Sequence, residues 1–314
     1  MGARRMIKVR PRAAADERAV AGLLAATADR VEALDPRVRL ARRPLPGDGA
    51  LVAVDDGGTV RGHVRGVPEE LSPDDESRLY APDRSVTWVD AAADGSDAVE
   101  ALAGALRLPG GPGAEADGVL WPTADEEGAG WWTAAGLDRA GQYAVRPPEP
   151  LPAEPPAGVT IRVATPDDVD AVAALHRDAI AFQAVVSPYV REVPGAEAGF
   201  RRRLLAGRST THVADRDGDL LGVAEWWVTT AEAGEGRPAL LPPGRYAYLN
   251  SVGVRFDARG DGVGRALAGA ALAAAGPGLA GSTLWFSVHN PLSSRIWPRL
   301  GWQPVWTMWE RRTS

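Results

Sequence analysis

The stretch from Leu249 to Leu267 reads as an apolar strand, a glycine-rich turn and an alanine-rich helix in direct succession, and it constrains the fold more than any other part of the chain. Gly260, Gly262 and Gly264 let the backbone curl so that successive N–H groups point into one hollow. The helix opening near Val263 adds the positive end of its dipole. Such a hollow fits a pyrophosphate. Two familiar versions of this design fail. A kinase or ATPase loop needs Lys followed by Ser or Thr after the glycines, and the only lysine is Lys8. A dinucleotide fold needs G-x-G-x-x-G and an acidic residue roughly 20 positions on. Here the spacing is G-x-G-x-G, and no Asp or Glu lies between Arg265 and Glu310.

At 314 residues the chain is long enough for two domains that each bury a core. A hydrophobic fraction of 45% without an apolar run near 18 residues predicts neither a transmembrane helix nor a secretory segment, so a cytoplasmic protein with no membrane partner is expected. The absence of cysteine removes disulfides, thiolate metal sites and any cysteine acyl-enzyme. A net charge of −6 argues against non-specific nucleic-acid binding, which needs a basic surface. His63, His176, His212 and His289 are scattered without metal-ligand spacing, so no metal is expected.

The proline-rich run Pro147–Ala157 cannot join a strand ladder and favours a stiff spacer, which divides the chain into residues 1–146, a linker at 147–157 and residues 158–314. A faint repeat crosses this divide. Arg10, Asp16, Ala19, Val20, Ala21 and Leu23 recur 152 positions later as Arg162, Asp168, Ala171, Val172, Ala173 and Leu175. Asp125, Trp132 and Gly136 recur 165 positions later as Asn290, Trp297 and Gly301. A duplicated domain is the reading adopted. In the first copy, residues 50–55 and 59–65 read as strands around an Asp56-Gly-Gly turn, and residues 85–89 as a third strand. The helix expected over 97–106 follows Asp90-Ala-Ala-Ala-Asp-Gly-Ser-Asp97, whose single glycine and three carboxylates would repel a pyrophosphate. The first copy therefore has the fold without the anion site.

In the second copy, residues 160–164 read as a strand and 166–182 as a helix with Thr165 as N-cap and Pro166 at its first position. A helix around 195–205 carries Arg201, Arg202 and Arg203, taken as a solvated face. Strands at 211–214 and 220–229 form a hairpin ending in Glu225-Trp226-Trp227, where Glu225 and Trp227 share one face and Trp226 faces a core. A long loop with three prolines spans 231–244, and Tyr246, Tyr248, Asn250, Val252 and Val254 share one face of the next strand. Asn290 is read as the N-cap of a short helix beginning at Pro291 and kinked or ended by Pro298.

Arg259, Gly262 and Gly264 fill the pattern Arg/Gln-x-x-Gly-x-Gly/Ala and so resemble the pyrophosphate loop of the GNAT N-acetyltransferase superfamily. Val252-Gly-Val254 stands at the position of its Leu-x-Val strand. Asn290, Ser293, Ile296, Trp297, Leu300, Gly301 and Trp302 follow its N-x-x-A-x-x-L-Y-x-x-L-G-F spacing. The resemblance implies two tandem GNAT-like domains, each a mostly antiparallel mixed sheet flanked by helices, the first degenerate. It implies acetyl-CoA, or another acyl-CoA, held by Val252, Gly253, Val254, Arg259, Gly260, Asp261, Gly262, Val263, Gly264, Arg265, Asn290 and Ser293. The pantetheine arm would pair with the strand near Val252 and Val254, which splays from its neighbour there.

The implied activity is N-acetyl transfer by direct attack of a small-molecule or peptide amine, by a monomer or homodimer. The family's usual strand glutamate falls near Tyr248 or Asn250, where no carboxylate stands. Glu225 is therefore the expected base, acting through water ordered by Tyr248 and Asn250, although a strand glutamate is as readily an ion-pair residue. The family's acid is a tyrosine at the position of Trp297, whose indole donates a hydrogen bond but no proton. Ser293 or water is expected to complete that step, and Trp297 otherwise fills a hole. The other class kept open is a non-catalytic acyl-CoA sensor or scaffold.

Overall fold

The computed structural model describes residues 6–44, 46–73, 75–106, 114–152, 154–232 and 240–312. The first half runs β1 (Lys8–Pro11), α1 (Glu17–Leu34), β2 (Ala50–Val54), β3 (Val60–Glu70), β4 (Arg84–Ala93), α2 (Ser96–Leu106), β5 (Ala116–Pro122), α3 (Glu126–Ala134) and β6 (Asp138–Arg146). The second repeats that order with one helix added: β7 (Thr160–Val163), α4 (Val169–Val186), α5 (Ala196–Leu205), β8 (Thr210–Arg216), β9 (Asp219–Ala231), β10 (Gly244–Val254), α6 (Val263–Ala274), β11 (Gly281–Ser287), α7 (Ser293–Arg299) and β12 (Gln303–Arg312). The expected mixed α/β fold is present, and so is the hairpin that carries Glu225. Residues 147–152 and 154–159 between the halves form neither helix nor strand, while residues 233–239 of the long loop lie outside the described residues.

All strands join one sheet in the order β1-β2-β3-β4-β5-β12-β6-β11-β10-β9-β8-β7. The last strand of each half has crossed over. β12 pairs with β5 of the first half, β6 pairs with β11 of the second, and the two lie antiparallel to each other at the centre. Helices α1, α4 and α5 cover one face, and α2, α3, α6 and α7 the other.

The repeat seen in the sequence is a repeat of contacts. Arg10 grips Asp16 through two bonds of 2.7 and 2.9 Å, and Asp16 accepts the Ala13 N–H at 2.7 Å. At the offset of 152, Arg162 grips Asp168 at 2.7 and 2.9 Å and Asp168 accepts the Thr165 N–H at 2.7 Å. Each aspartate thus ties the opening strand to the start of the long helix α1 or α4. At the offset of 165, Gly136 and Gly301 both take positive φ, +83° and +96°, to end α3 and α7. There Leu137 and Trp302 each donate their N–H to the carbonyl of Trp132 and of Trp297, at 3.0 Å in both cases.

The same offset relates two arginines that pin the crossed strands. Arg146 on β6 donates from Nε to the Leu300 carbonyl at 2.9 Å. Arg311 on β12 donates to the Ala135 carbonyl at 3.1 Å. Each side chain reaches into the opposite half at equivalent points. Arg146 also donates to the carbonyls of Pro147 and Pro150 at 3.2 and 3.1 Å, which fixes the start of the proline-rich connection.

Candidate active site

β10 stays paired with β9 along its whole length but meets β11 only where Tyr246–Leu249 faces Gly281–Leu284. Beyond Leu249 the two parallel strands part. A bulge falls at the same point, where Asn250 is the extra residue between the pairs Leu249–Trp226 and Ser251–Glu225. The free edge of residues 250–254 carries backbone groups with no partner strand on that side, as expected from the sequence. A cavity of about 530 Å³ opens there.

Gly260 and Gly262 have φ of +96° and +92°, and a Cβ at either would meet nothing within 4 Å. Backbone conformation, not space, is what selects glycine at these two positions. Gly262 stands as the N-cap of α6 with no capping side chain, so the first N–H groups of that helix face the cavity bare. Arg259, Arg265, Arg295 and Arg299 line the cavity, and among the described residues no Asp or Glu does. Arg259 is oriented by a 3.0 Å bond from its Nε to the Val254 carbonyl and by the Phe182 ring, 4.7 Å below the guanidinium. Four guanidiniums, a helix N-terminus and no carboxylate suit a polyanion that also presents an extended arm to a strand edge.

Most of the residues expected to hold acyl-CoA meet here. Val252, Gly253, Val254, Arg259, Gly260, Gly262, Val263, Gly264, Arg265, Asn290 and Ser293 all line the cavity. Asp261 is exposed and does not line it. Sequence reasoning missed Arg295 and Arg299, although their spacing of four on one helix was a readable signal. Phe182 and Gln183 also line it from α4, which passes the cavity only through the tertiary fold.

Asn290 is buried and caps the approach to α7, its Oδ1 accepting the N–H of Leu292 at 3.0 Å and of Ser293 at 3.3 Å. The helix proper starts at Ser293, two residues later than expected, and stops one residue after Pro298. Ser293 donates weakly to main-chain carbonyls of Ser287 and Asn290, each at 3.4 Å. Trp297 lines the cavity while 9% exposed, and packs edge-on against Trp302 with centroids 5.3 Å apart. His289 turns away, its Nε2 meeting the Arg139 carbonyl at 3.0 Å.

Glu225 is fully buried, and both its oxygens are occupied. Arg203 donates from Nε at 3.0 Å and from a terminal nitrogen at 3.1 Å, Ser209 from Oγ at 2.8 Å and Asn250 from Nδ2 at 2.7 Å. Burial pushes the carboxyl pKa up, but the bonds and charge of Arg203, with Ser209 and Asn250, outweigh it and hold the group below the ordinary glutamate value. Such a carboxylate is a weak base. The arginine face on α5 that was expected to be solvated is the reason, because Arg203 turns inward and bridges Glu225 to Glu76 of the first half. Asn250, tethered through its NH2 group, still lines the cavity, and its carbonyl remains the group free to accept from a ligand. Tyr248 lies beside it, its phenol raised by burial and by the neighbouring Tyr80, Tyr143 and Glu225, and so held protonated.

The first half carries the same splay, filled. β4 meets β5 only over Ser85–Trp88 against Ala116–Val119, and β4 bulges just beyond, where Asp90 takes a φ of +53°. Trp121 packs against Trp131 and Trp132 with centroids 5.9 and 5.4 Å apart, and Trp131 and Trp132 with α2 leave a void of about 20 Å³. No glycine cradle precedes α2.

Residues 177–302 match the sequence profile of the acetyltransferase (GNAT) family. Among solved structures, the chain is similar to a GCN5-related N-acetyltransferase from Sphaerobacter thermophilus, at 17% identity and a TM-score of 0.50, covering 98% of this chain and 95% of that one. It also aligns with a tandem GNAT protein from the clavulanic acid biosynthesis pathway, at 19% identity and a TM-score of 0.46, over 98% of both chains. No curated protein matches it. Among the described residues no group of three metal-ligating side chains gathers, and no helix is long and apolar enough to cross a membrane. With its anion-lined splay in the second half and a filled copy of that splay in the first, the chain has the fold of the GCN5-related N-acetyltransferase structure it resembles, and its residues 177–302 carry the sequence pattern of the GNAT acetyltransferases.

Proposed function

We propose that the protein transfers an acyl group, acetyl in the first instance, from acyl-CoA to a primary amine of a small molecule or peptide. The observation that carries this reading is the cavity in the splay of β10 and β11, where four guanidiniums and the uncapped start of α6 gather with no carboxylate among the described lining residues. The diphosphate of CoA would lie against Gly260, Gly262, Val263 and Gly264, with Arg259, Arg265, Arg295 and Arg299 neutralising its phosphates. The pantetheine amides would bond the free edge of Val252 and Val254 as a surrogate strand.

At the mouth of the splay, the amine nitrogen attacks the thioester carbonyl, the C–N bond forms, the C–S bond breaks, and the sulfur leaves as a thiolate. Near neutral pH a free amine is mostly protonated, whereas a thiolate is a tolerable leaving group, so the demanding proton is the one the amine must lose. Because Glu225 is committed to Arg203, that proton passes to water. Asn250 and Tyr248 hold this water and orient the amine, Asn250 by its free carbonyl. Trp297 stands beside the leaving sulfur as a wall and hydrogen-bond donor, and water returns a proton to the thiolate.

Calorimetry with CoA, and thiol release from acetyl-CoA across a panel of primary amines, test the reading. Micromolar binding together with amine-dependent release is the expected result. The committed Glu225 and the tryptophan in place of an acid also suit a non-catalytic acyl-CoA sensor, and binding without release for any amine would establish that alternative.

A further inference from the structure

The first half sends side chains into the second half's site. On the face covered by α1, α4 and α5, residues of four strands come into register. Trp227 of β9 stands opposite Tyr248 of β10, and Trp285 of β11 stands opposite Tyr143 of β6. Their rings meet in pairs, Trp227 with Tyr248 at 4.9 Å and Tyr143 with Trp285 at 5.0 Å between centroids. Side chains two apart on a strand share a face, so Glu225 and Asn250 border the same floor.

Trp285 connects this floor to the splay, since it lines the cavity while 39% exposed. Tyr143 belongs to the crossed strand of the first half. A fifth ring, Tyr80, follows residues 76–79 of that half and is 47% exposed. Its segment is clamped by the second half. Arg203 joins Glu76 to Glu225, the Arg191 N–H bonds the Leu79 carbonyl at 3.0 Å, and the Arg191 guanidinium bonds the carbonyls of Arg78 at 2.8 Å and Ala81 at 3.2 Å. The Tyr80 phenol is raised to about 12 by burial and by the nearby Glu225 carboxylate, while the residue leaves 47% of its surface open.

Tyr80, Trp227, Tyr248 and Trp285 all keep surface open, Tyr80 and Trp285 more than a third of theirs, while Tyr143, buried in the core with Val31, Val38 and Trp306, backs the Trp285 ring. We propose that Tyr80, Tyr143, Trp227, Tyr248 and Trp285 are the acceptor-binding floor, and that the acceptor is a primary amine carrying an aromatic or similarly flat apolar body. The body stacks on the rings and the amine reaches toward Asn250 and the mouth of the splay. A linear polar amine gains none of this stacking. The first half is then retained because it completes the acceptor site. This rests on the acyl-transfer reading above and deepens it by naming the substrate class.

The test compares 2-phenylethylamine and tryptamine with n-butylamine and putrescine in thiol release from acetyl-CoA, using the full chain and the variants Tyr80→Ala and Tyr80→Phe. The KM for the aromatic amines is expected to be at least about tenfold lower than for the linear ones. Tyr80→Ala should raise the aromatic KM about tenfold with the affinity for CoA kept, and Tyr80→Phe should restore it. Equal KM values for both kinds of amine, or an unmoved KM in a folded Tyr80→Ala protein, would overturn the floor and leave acyl transfer standing. If CoA fails to bind at all, the transfer reading falls. Calorimetric titration of 2-phenylethylamine into the wild type and Tyr80→Ala then decides the floor alone: binding that the variant loses supports it, and no binding overturns it.

Discussion

Gly262 and Gly264 look alike in the sequence, yet the structure gives them different work. At Gly262 the φ of +92° is the constraint, and a β-branched residue there would force the backbone out of the left-handed region and turn the bare N–H groups of α6 away from the cavity. Gly262→Val is therefore expected to weaken CoA at least about tenfold in calorimetry. Gly264 lies in ordinary helix, and its Cβ would come within 3.4 Å of a Val254 methyl, an adjustable contact, so Gly264→Ala should cost clearly less. Equal losses would mean that crowding, not backbone geometry, governs the cradle. Glu225→Gln tests another residue whose role changed between sequence and structure. Removing the carboxylate leaves half-buried Arg203 with Glu76 alone, and a loss of about 3 kcal/mol in urea unfolding is expected with CoA affinity kept. A Gln variant that keeps its stability but loses turnover would return Glu225 to the role of base. The sequence placed Glu225 on the right face, but its partner comes from α5, more than twenty positions away, and no local pattern announces an ion pair at that distance.

Among the elements, the openings of α1 and α4 were legible because they depend on neighbours in sequence: Arg10 with Asp16, and Arg162 with Asp168, at the same spacing in both halves. Their electrostatics make a pH prediction. The bonds from Arg10, against a smaller effect of burial, hold the Asp16 carboxyl down at about 2 from an ordinary 3.8. Asp168 is depressed further by Arg162 and by the Thr165 N–H and hydroxyl. For a depressed carboxyl the stabilisation is fully present above the unfolded pKa and disappears as pH falls through the folded one. Asp16→Asn should therefore cost about 1–3 kcal/mol at pH 6, with the difference from wild type shrinking between about pH 4 and 2. A pH-independent difference would assign the effect to packing instead. The filled splay in the first half was half legible: the missing glycines were visible, whereas the three tryptophans that replace a ligand come from β5 and α3 and meet only in the fold. Trp132→Ala should cost about 3–5 kcal/mol, because nothing nearby is placed to refill the space of a side chain buried to 2% exposure.

At the scale of the whole molecule, the sequence marked where the chain passes from one half to the other but not how the halves share their sheet. Alternation along β6 and β12 tells which residues face which side and is silent about partners, so either strand reads equally well beside its own half. Arg146 and Arg311, related by the offset of 165, bind the opposite half at equivalent carbonyls and so specify the crossed pairing. A piece ending near residue 152 would keep β6 but lose β11 and β12, exposing both edges of β6 and the free edge of β5. The complementary piece would lose β5 and β6, leaving β11 open and β12 without either neighbour. Residues 1–152 and 154–314 expressed separately should thus be insoluble or unfolded by circular dichroism, because each presents long unpaired edges. Expressed together, they are expected to assemble into a one-to-one complex that elutes at the full chain's size and binds CoA with the same affinity, since the cavity is lined by residues of the second piece throughout. Independent folding of either piece as a soluble monomer would mean that its last strand can return to its own half, and that the crossing seen here is one of two accessible pairings.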